Sequence, residues 1–334
     1  MSGHVAVVGA TGAVGQEFIR VLAQRKFPYS KITFLASSRS AGKPIEFAGQ
    51  THTVQELTEE SFKGVDIALF SAGASISRKF APIAVQAGTV VVDNSSAFRM
   101  DPEVPLVVPE VNPDDAFKHK GIIANPNCST IIAVVAVWPL YKLCRIERMV
   151  VSTYQAASGA GYQAMVELEE QAREVLAGRK PTPKVLPHQI AFNLFSHNSK
   201  ISENGYNEEE MKMVKETRKM FHDDNMQITA TCVRVPILRA HSESINLTFS
   251  KPVTEQQVRE ALAAAPGVKI VDDRVNNHFP MPLESSDQDD VFVGRIRQDI
   301  SQPDGRGIDM FVSGDQLRKG AALNTVQIAE LISR

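Results

Sequence analysis

Cys128 follows Asn125-Pro126-Asn127 and precedes Ser129-Thr130 and the apolar run Ile131 to Trp138. That order predicts a helix entering a core, with Asn127 as its N-cap and Cys128 in its first turn. Unpaired backbone N–H groups and the positive end of the helix dipole there favour thiolate over thiol, and the thiolate is the nucleophile. A small buried core cysteine is the other reading of the same residue. Position favours reactivity, because a helix start just behind a strand is where doubly wound sheets hold ligands. A thiolate beside a redox carrier would take an aldehyde through a thiohemiacetal to a thioester, a step that needs a base. Of the eight histidines, His119 and His222 sit in charged surroundings and read as surface. His241 instead closes the run Arg234-Val235-Pro236-Ile237-Leu238-Arg239-Ala240, a dense polar cluster in an apolar frame.

Gly9-Ala10-Thr11-Gly12-Ala13-Val14-Gly15 follows the first apolar segment and opens a helical one. Glycines in that place allow a tight turn, close approach of backbone to a pyrophosphate, and phosphates on the helix N-terminus. Gly9, Thr11, Gly12, Ala13 and Val14 are therefore dinucleotide-binding candidates. An NAD site should carry a carboxylate at the end of the second strand, yet here stand Ser37, Ser38, Arg39 and Ser40. Hydroxyls and a guanidinium suit a 2′-phosphate, which makes NADP the expected cofactor. Two further turns, Ser71-Ala72-Gly73 and Ser158-Gly159-Ala160-Gly161, either add cofactor contacts or are ordinary turn chemistry.

The elements that must position these residues change character along the chain. Continuous apolar strands at Val5–Val8, Lys31–Ala36, Val65–Phe70, Thr89–Val92 and Ile122–Ala124 alternate with helices at Val14–Gln24 and Ile76–Ala87, as in a parallel sheet covered on both faces. Beyond Arg145, alternating segments predict longer antiparallel strands at Met149–Tyr154, Gln227–Val235, Ile245–Phe249, Val291–Arg297 and Ile308–Val312. Helices are expected at Tyr162–Ala177, Glu208–Phe221 and Lys319–Ile332, with Arg179 to Ser202 as a wandering loop. The fold class is thus α/β, a Rossmann-type doubly wound sheet joined to an α+β domain with a mainly antiparallel sheet. The chain has 334 residues, 43% hydrophobic and 22% charged, enough apolar side chain for two cores. A net charge of -2 draws it to neither nucleic acid nor a membrane surface. Three cysteines without CxxC or CxxH spacing suggest a reducing compartment and no structural metal, and the N-terminus enters a strand at once, so a cytoplasmic protein is expected.

Five collinear segments resemble aspartate-semialdehyde dehydrogenases of the bacterial type: Gly9–Gly15, Asn94–Arg99, Asn125–Thr130, Gln155–Gly161 and Arg234–Glu243. The resemblance implies NADP-dependent interconversion of 4-phospho-L-aspartate with L-aspartate 4-semialdehyde and phosphate, feeding lysine, methionine, threonine and diaminopimelate synthesis. It makes Cys128 the nucleophile, His241 the general acid/base, Gln155 an orienting group and Arg234 the grip on the substrate α-carboxylate. It further implies Glu209, or a neighbouring glutamate, for the α-amine, Arg99 and Lys212 for phosphate, Gln316 near the cofactor, and Asn127 near the reacting carbonyl. It also implies a homodimer, with an NADP-binding domain over 1–127 and 318–334 and a catalytic and dimerisation domain over 128–317. An N-acetyl-γ-glutamyl-phosphate reductase shares this chemistry, but an acylated amine would not suit Glu209. A non-catalytic NADP-sensing Rossmann protein would have lost Cys128 or His241.

Overall fold

The computed structural model describes residues 3–333, which form two compact units, 3–126 with 321–333 and Asn127–Gly320. In the first unit β1 (Gly3–Val8), α1 (Ala13–Gln24) and β2 (Tyr29–Ala36) make a β-α-β crossover with the two strands parallel. A small hairpin of β3 (Pro44–Phe47) and β4 (Gln50–Thr53) precedes β5 (Gln55–Glu56), β6 (Ile67–Phe70), α2 (Ala74–Gln86), β7 (Val90–Asp93) and β8 (Ile122–Ala124). The parallel sheet runs β5-β2-β1-β6-β7-β8, so strand order reverses between β1 and β6. The turns after these two strands, Gly9–Gly12 and Ser71–Gly73, therefore flank the place where such sheets bind ligands.

Period-two alternation sorts the core of this unit. Val5 and Val7 join Phe18, Val21 and Leu22 of α1 on one face, whereas Ala6 and Val8 join Phe80, Ala81 and Ala84 of α2 on the other.

The second unit begins with α3 (Cys128–Leu143) and β9 (Ile146–Gln155), then α4 (Tyr162–Leu176), β10 (Phe195–Ser196), α5 (Glu208–Phe221), β11 (Gln227–Arg234) and β12 (His241–Phe249). It continues through α6 (Glu255–Ala263), β13 (Val268–Ile270), α7 (Pro282–Ser285), β14 (Val291–Gln298) and β15 (Gly307–Gly314). Its sheet, β10-β11-β9-β12-β15-β14-β13, is mostly antiparallel, with parallel pairs β9/β11 and β13/β14. Helices α3, α5 and α6 cover one face. Ser152 and Tyr154 of β9 and Ser244 of β12 stand on the other, partly or fully exposed. A π-helical turn, Arg318–Ala322, then leads into α8 (Leu323–Ile332), whose Leu323, Val326 and Ile328 complete the first unit's core.

Three local outcomes depart from the pattern-based expectation. Strand β12 starts four residues before Ile245, because His241 and Glu243 are buried on its helix-covered face and break the apolar alternation. Helix α3 continues through Pro139 to Leu143, since it is buried on nearly every side and packing outweighs the lost hydrogen bond. The Arg179 to Ser202 stretch is anchored rather than wandering. The Glu167 carboxylate accepts N–H bonds from Lys184, Val185 and Leu186, and Gln171 Oε1 accepts them from Ile190 and Ala191.

Candidate active site

In the first unit the glycines of the Gly9–Gly15 turn meet different demands. A Cβ on Gly9 would lie 2.4 Å from Ser71 O, and one on Gly15 would lie 2.1 Å from Gly9 O, so both are required by the chain's own packing. Gly12 differs: its Cβ would meet nothing nearer than Gly9 O at 3.4 Å. Gly12 is exposed and is the N-cap of α1, whose first turn has neither a capping side chain nor an acidic residue. Unsatisfied N–H groups, an open approach and a positive dipole end fit a pyrophosphate. Ser37, Ser38 and Arg39 are exposed after β2, and Ser40 Oγ accepts from Thr11 Oγ1 at 3.4 Å, which joins that turn to the glycine turn. No carboxylate interrupts the run from Ser37 to Lys43. Ala13 and Val14 open α1, and Gly73, with φ of 87°, is the uncapped N-cap of α2 beside Ser71. Arg99, also in this unit, is buried, its Nε donating to Asn125 O and its Nη2 to Asn94 O.

In the second unit Cys128 is half-buried in the first turn of α3. Asn127 caps that turn: its Oδ1 accepts from the Ser129 and Thr130 N–H groups, while its Nδ2 donates to Glu209 Oε1 at 2.8 Å. Cys128 Sγ lies 3.5 Å from Nε2 of His241, the first residue of β12, 113 positions later in the chain. The Ala156 N–H donates to the other ring nitrogen, Nδ1, at 3.0 Å. Nδ1 is thus an acceptor, so the neutral ring carries its proton on Nε2, toward the sulfur. Burial, reinforced by the nearby Arg234 guanidinium, pushes His241 down to about 3.

Two charged residues sit near this pair. Arg234, the last residue of β11, is buried, with Nη1 donating to Ala156 O at 2.8 Å and Nη2 to His197 Nε2 at 2.9 Å. Its buried Nε–H has no partner among the described residues. Glu209, in the first turn of α5, receives Asn127 and Gln155 on Oε1 and Lys212 on Oε2 at 2.9 Å. Burial opposes its ionisation, but the Lys212 ammonium, then His197 and the Asn127 amide, prevail and hold the carboxyl at about 2. Gln155 ends β9 and donates to Ser129 Oγ at 2.8 Å, tying the carboxylate back to the nucleophile's helix. Glu208, by contrast, is exposed, and Glu210 is spent on the α5 capping box and the Cys232 N–H.

Gly159 faces the same group of side chains. A Cβ there would lie 2.9 Å from Arg234 Nη1 and 3.1 Å from His241 Nε2. Gly320, which no sequence pattern singled out, plays the same part for the thiol, since its Cβ would meet Cys128 Cβ at 3.0 Å. Gln316 and Ser158 are buried and bonded to each other, and Gln316 Oε1 accepts from the Ala240 N–H. His197 was missed as well; its neighbours in sequence are polar and exposed or half-exposed, and nothing local marks it. Among the described residues no group of three or more His, Cys, Asp or Glu could hold a metal ion.

Comparison with known proteins gives the family. Residues 4–119 match the family described as semialdehyde dehydrogenase, NAD binding domain, and residues 137–319 match semialdehyde dehydrogenase, dimerisation domain. An aspartate-semialdehyde dehydrogenase of Synechocystis is 57% identical, with 98% of this chain and 97% of the relative covered. The crystal structure of aspartate semialdehyde dehydrogenase II from Vibrio cholerae, complexed with ASA, superposes with a TM-score of 0.97 at 44% identity, covering 100% and 99% of the two chains. The Candida albicans enzyme, solved with NADP, gives 0.75 at 26% identity over 100% and 99%. The chain, with its Cys128–His241 pair and its uncapped glycine turn, belongs to the aspartate-semialdehyde dehydrogenase family.

Proposed function

We propose that this chain is an NADP-dependent aspartate-semialdehyde dehydrogenase of amino-acid biosynthesis, cytoplasmic and homodimeric, that reduces 4-phospho-L-aspartate to L-aspartate 4-semialdehyde and phosphate. The observation that carries the reading is the Cys128 Sγ to His241 Nε2 approach at a helix N-terminus, in a unit that also holds the buried Arg234 and Glu209. In this reading the orphaned Arg234 Nε–H takes the substrate α-carboxylate, and the ionised Glu209 takes the α-ammonium. Lys212 is the phosphate-binding cation of this unit, and Arg99 the phosphate-binding candidate of the first. Asn127 caps α3 and donates one Nδ2–H to Glu209, so it positions the nucleophile and holds Glu209, with its second Nδ2–H left for the reacting carbonyl.

The Cys128 thiolate attacks the acyl-phosphate carbon, and the resulting oxyanion accepts a hydrogen bond from His241 Nε2–H. Phosphate departs, leaving a thioester on Cys128. The Gly9–Gly15 turn with Ser37, Ser38, Arg39, Ser40, Ser71 and Gly73 would hold NADPH, which would supply the hydride that reduces the thioester; Ser158 and Gln316 are the cofactor-binding candidates of the second unit. The thiohemiacetal alkoxide again rests on His241 Nε2–H, then collapses to free aldehyde and regenerate the thiolate. The Ala156 N–H on Nδ1 supports His241 acting through Nε2, the nitrogen that faces the sulfur, as the general acid/base.

Phosphate-dependent NADP+ reduction with aspartate semialdehyde, beside N-acetylglutamate semialdehyde and with NAD+ in parallel, tests the reading. Turnover with the first substrate and NADP+ alone is expected. Turnover with the acetylated substrate would remove the role of Glu209, and substantial activity in Cys128→Ser would eliminate the thioester route.

A further inference from the structure

His197 belongs to neither of the elements that carry the nucleophile and its histidine, yet its ring joins the two groups that frame the substrate's amino-acid end. The two-residue strand β10 pairs antiparallel with β11, Phe195 against Arg234 and Ser196 against Val233, and the His197 N–H donates to Cys232 O at 2.8 Å. By alternation this puts the His197 side chain on the same sheet face as Cys232 and Arg234. Nε2 receives Arg234 Nη2 at 2.9 Å, and because a guanidinium only donates, Nε2 carries no proton. The ring proton is therefore on Nδ1, which faces Ser199 Oγ at 3.1 Å. The Ser199 N–H also points at Nδ1, from 3.2 Å, and a neutral ring cannot accept from both donors; the charged guanidinium at 2.9 Å makes the stronger bond and takes the ring's one acceptor, and Nδ1 keeps its proton for Ser199 Oγ. Ser199 Oγ in turn accepts the Glu209 N–H at 3.1 Å. The series Arg234–His197–Ser199–Glu209 is continuous, with its outer members the carboxylate-binding and ammonium-binding groups of the reading above, on which this inference rests.

We propose that His197 is a positioning residue for substrate recognition: as a neutral imidazole it fixes the rotation of the Arg234 fork and its separation from Glu209, and so selects an unsubstituted α-amino acid head group. Arg234 would otherwise be held only through Nη1, to Ala156 O, and could turn about that bond. With Nη2 also held, the unpartnered Nε–H has one direction. Burial, with Arg234 and Lys212 against Glu209, keeps the imidazole down at about 4, so the acceptor persists at neutral pH.

The test compares His197→Ala with His197→Gln, whose side-chain oxygen reaches the place of Nε2. His197→Ala should raise KM for aspartate semialdehyde by about tenfold or more, the range for a hydrogen bond to a charged group, with kcat changed less than about threefold. KM for phosphate and NADP+ should stay put, and His197→Gln should recover most of the loss. A uniform fall in kcat with both cofactor and phosphate KM raised, an unchanged KM for aspartate semialdehyde, or no rescue by Gln would overturn the proposal. Nitrogen-15 NMR of the histidines in the free enzyme keeps this separate from the activity assignment. A neutral Nδ1–H ring for His197 at pH 7 is expected whichever aldehyde is turned over, and an Nε2–H ring or an imidazolium would sink the bridge even in an enzyme that uses aspartate semialdehyde.

Discussion

At the scale of single residues, the nucleophile, its histidine and the charged pair are held by partners that leave each one orientation. Asn127 and Ala156 do this through one amide and one backbone N–H. Glu243, two residues beyond His241, is the exception. It is fully buried in β12 opposite Thr153, and neither carboxylate oxygen has a hydrogen-bond partner among the described residues. Burial drives its pKa well above the usual carboxylate range, so the folded protein keeps it protonated. An acid raised in the fold contributes fully below its unfolded value, and that contribution is lost as pH climbs, about 1.4 kcal/mol per unit while only the unfolded chain is ionised. Glu243→Gln should therefore gain on the parent in thermal melts as pH goes from 5 to 8, with the two nearly equal at pH 5. A gap independent of pH would mean that Glu243 is already ionised in the native state.

Elements are positioned here by side chains reaching across loops as much as by sheet pairing. Helix α4 holds the proline-bearing segment after it through Glu167 and Gln171, which together accept five backbone N–H bonds. That segment supplies Leu186, Ile190 and Ala191 to a small core with Ala157, Ala164 and Leu168. It also delivers the chain to β10, and so to His197. Glu167→Ala should cost about 2–4 kcal/mol, because it strands several amides at once. Hydrogen exchange should rise over residues 184–191 first. Unchanged protection there would show that the small core alone holds the segment. None of these anchors was legible in advance, since Glu167 lies in a helix rich in charged residues and reads as one more solvated carboxylate.

For the molecule as a whole, each unit has its own core and its own share of the chemistry: the dinucleotide turn in one, the thiol, histidine and recognition groups in the other. The face of the second sheet that bears Ser152, Tyr154 and Ser244 has none of α3, α5 or α6 on it, and Tyr154 packs its ring against Phe311 at 6.2 Å. A second copy of the chain would cover that face, in keeping with the family's dimerisation domain. Sedimentation at micromolar concentration should give a species of twice 36.6 kDa, and Tyr154→Asp should shift it toward the single chain. A monomeric parent would exclude a dimer built on this sheet.

Sequence alone determined the features that live in short stretches. The glycine turn, the Asn127 cap with Cys128 behind it, the hydroxyl-rich end of β2 and the apolar runs of the parallel sheet all follow from neighbours a few residues apart, where backbone stereochemistry and helix-end hydrogen bonding act. The roles of Arg234, Glu209 and Gln155 were reached only through resemblance, because nothing local distinguishes them from ordinary polar and charged residues. Tertiary structure decided the rest. Which ring nitrogen of His241 faces the sulfur depends on Ala156, 85 residues earlier; that Gly159 borders Arg234 and His241 depends on where β9, β11 and β12 end; and His197 meets Arg234 across 37 residues through a strand only two residues long. Such contacts carry no periodicity. They arise when buried polar groups must find partners after the sheet has formed, and the sheet determines which partners are within reach.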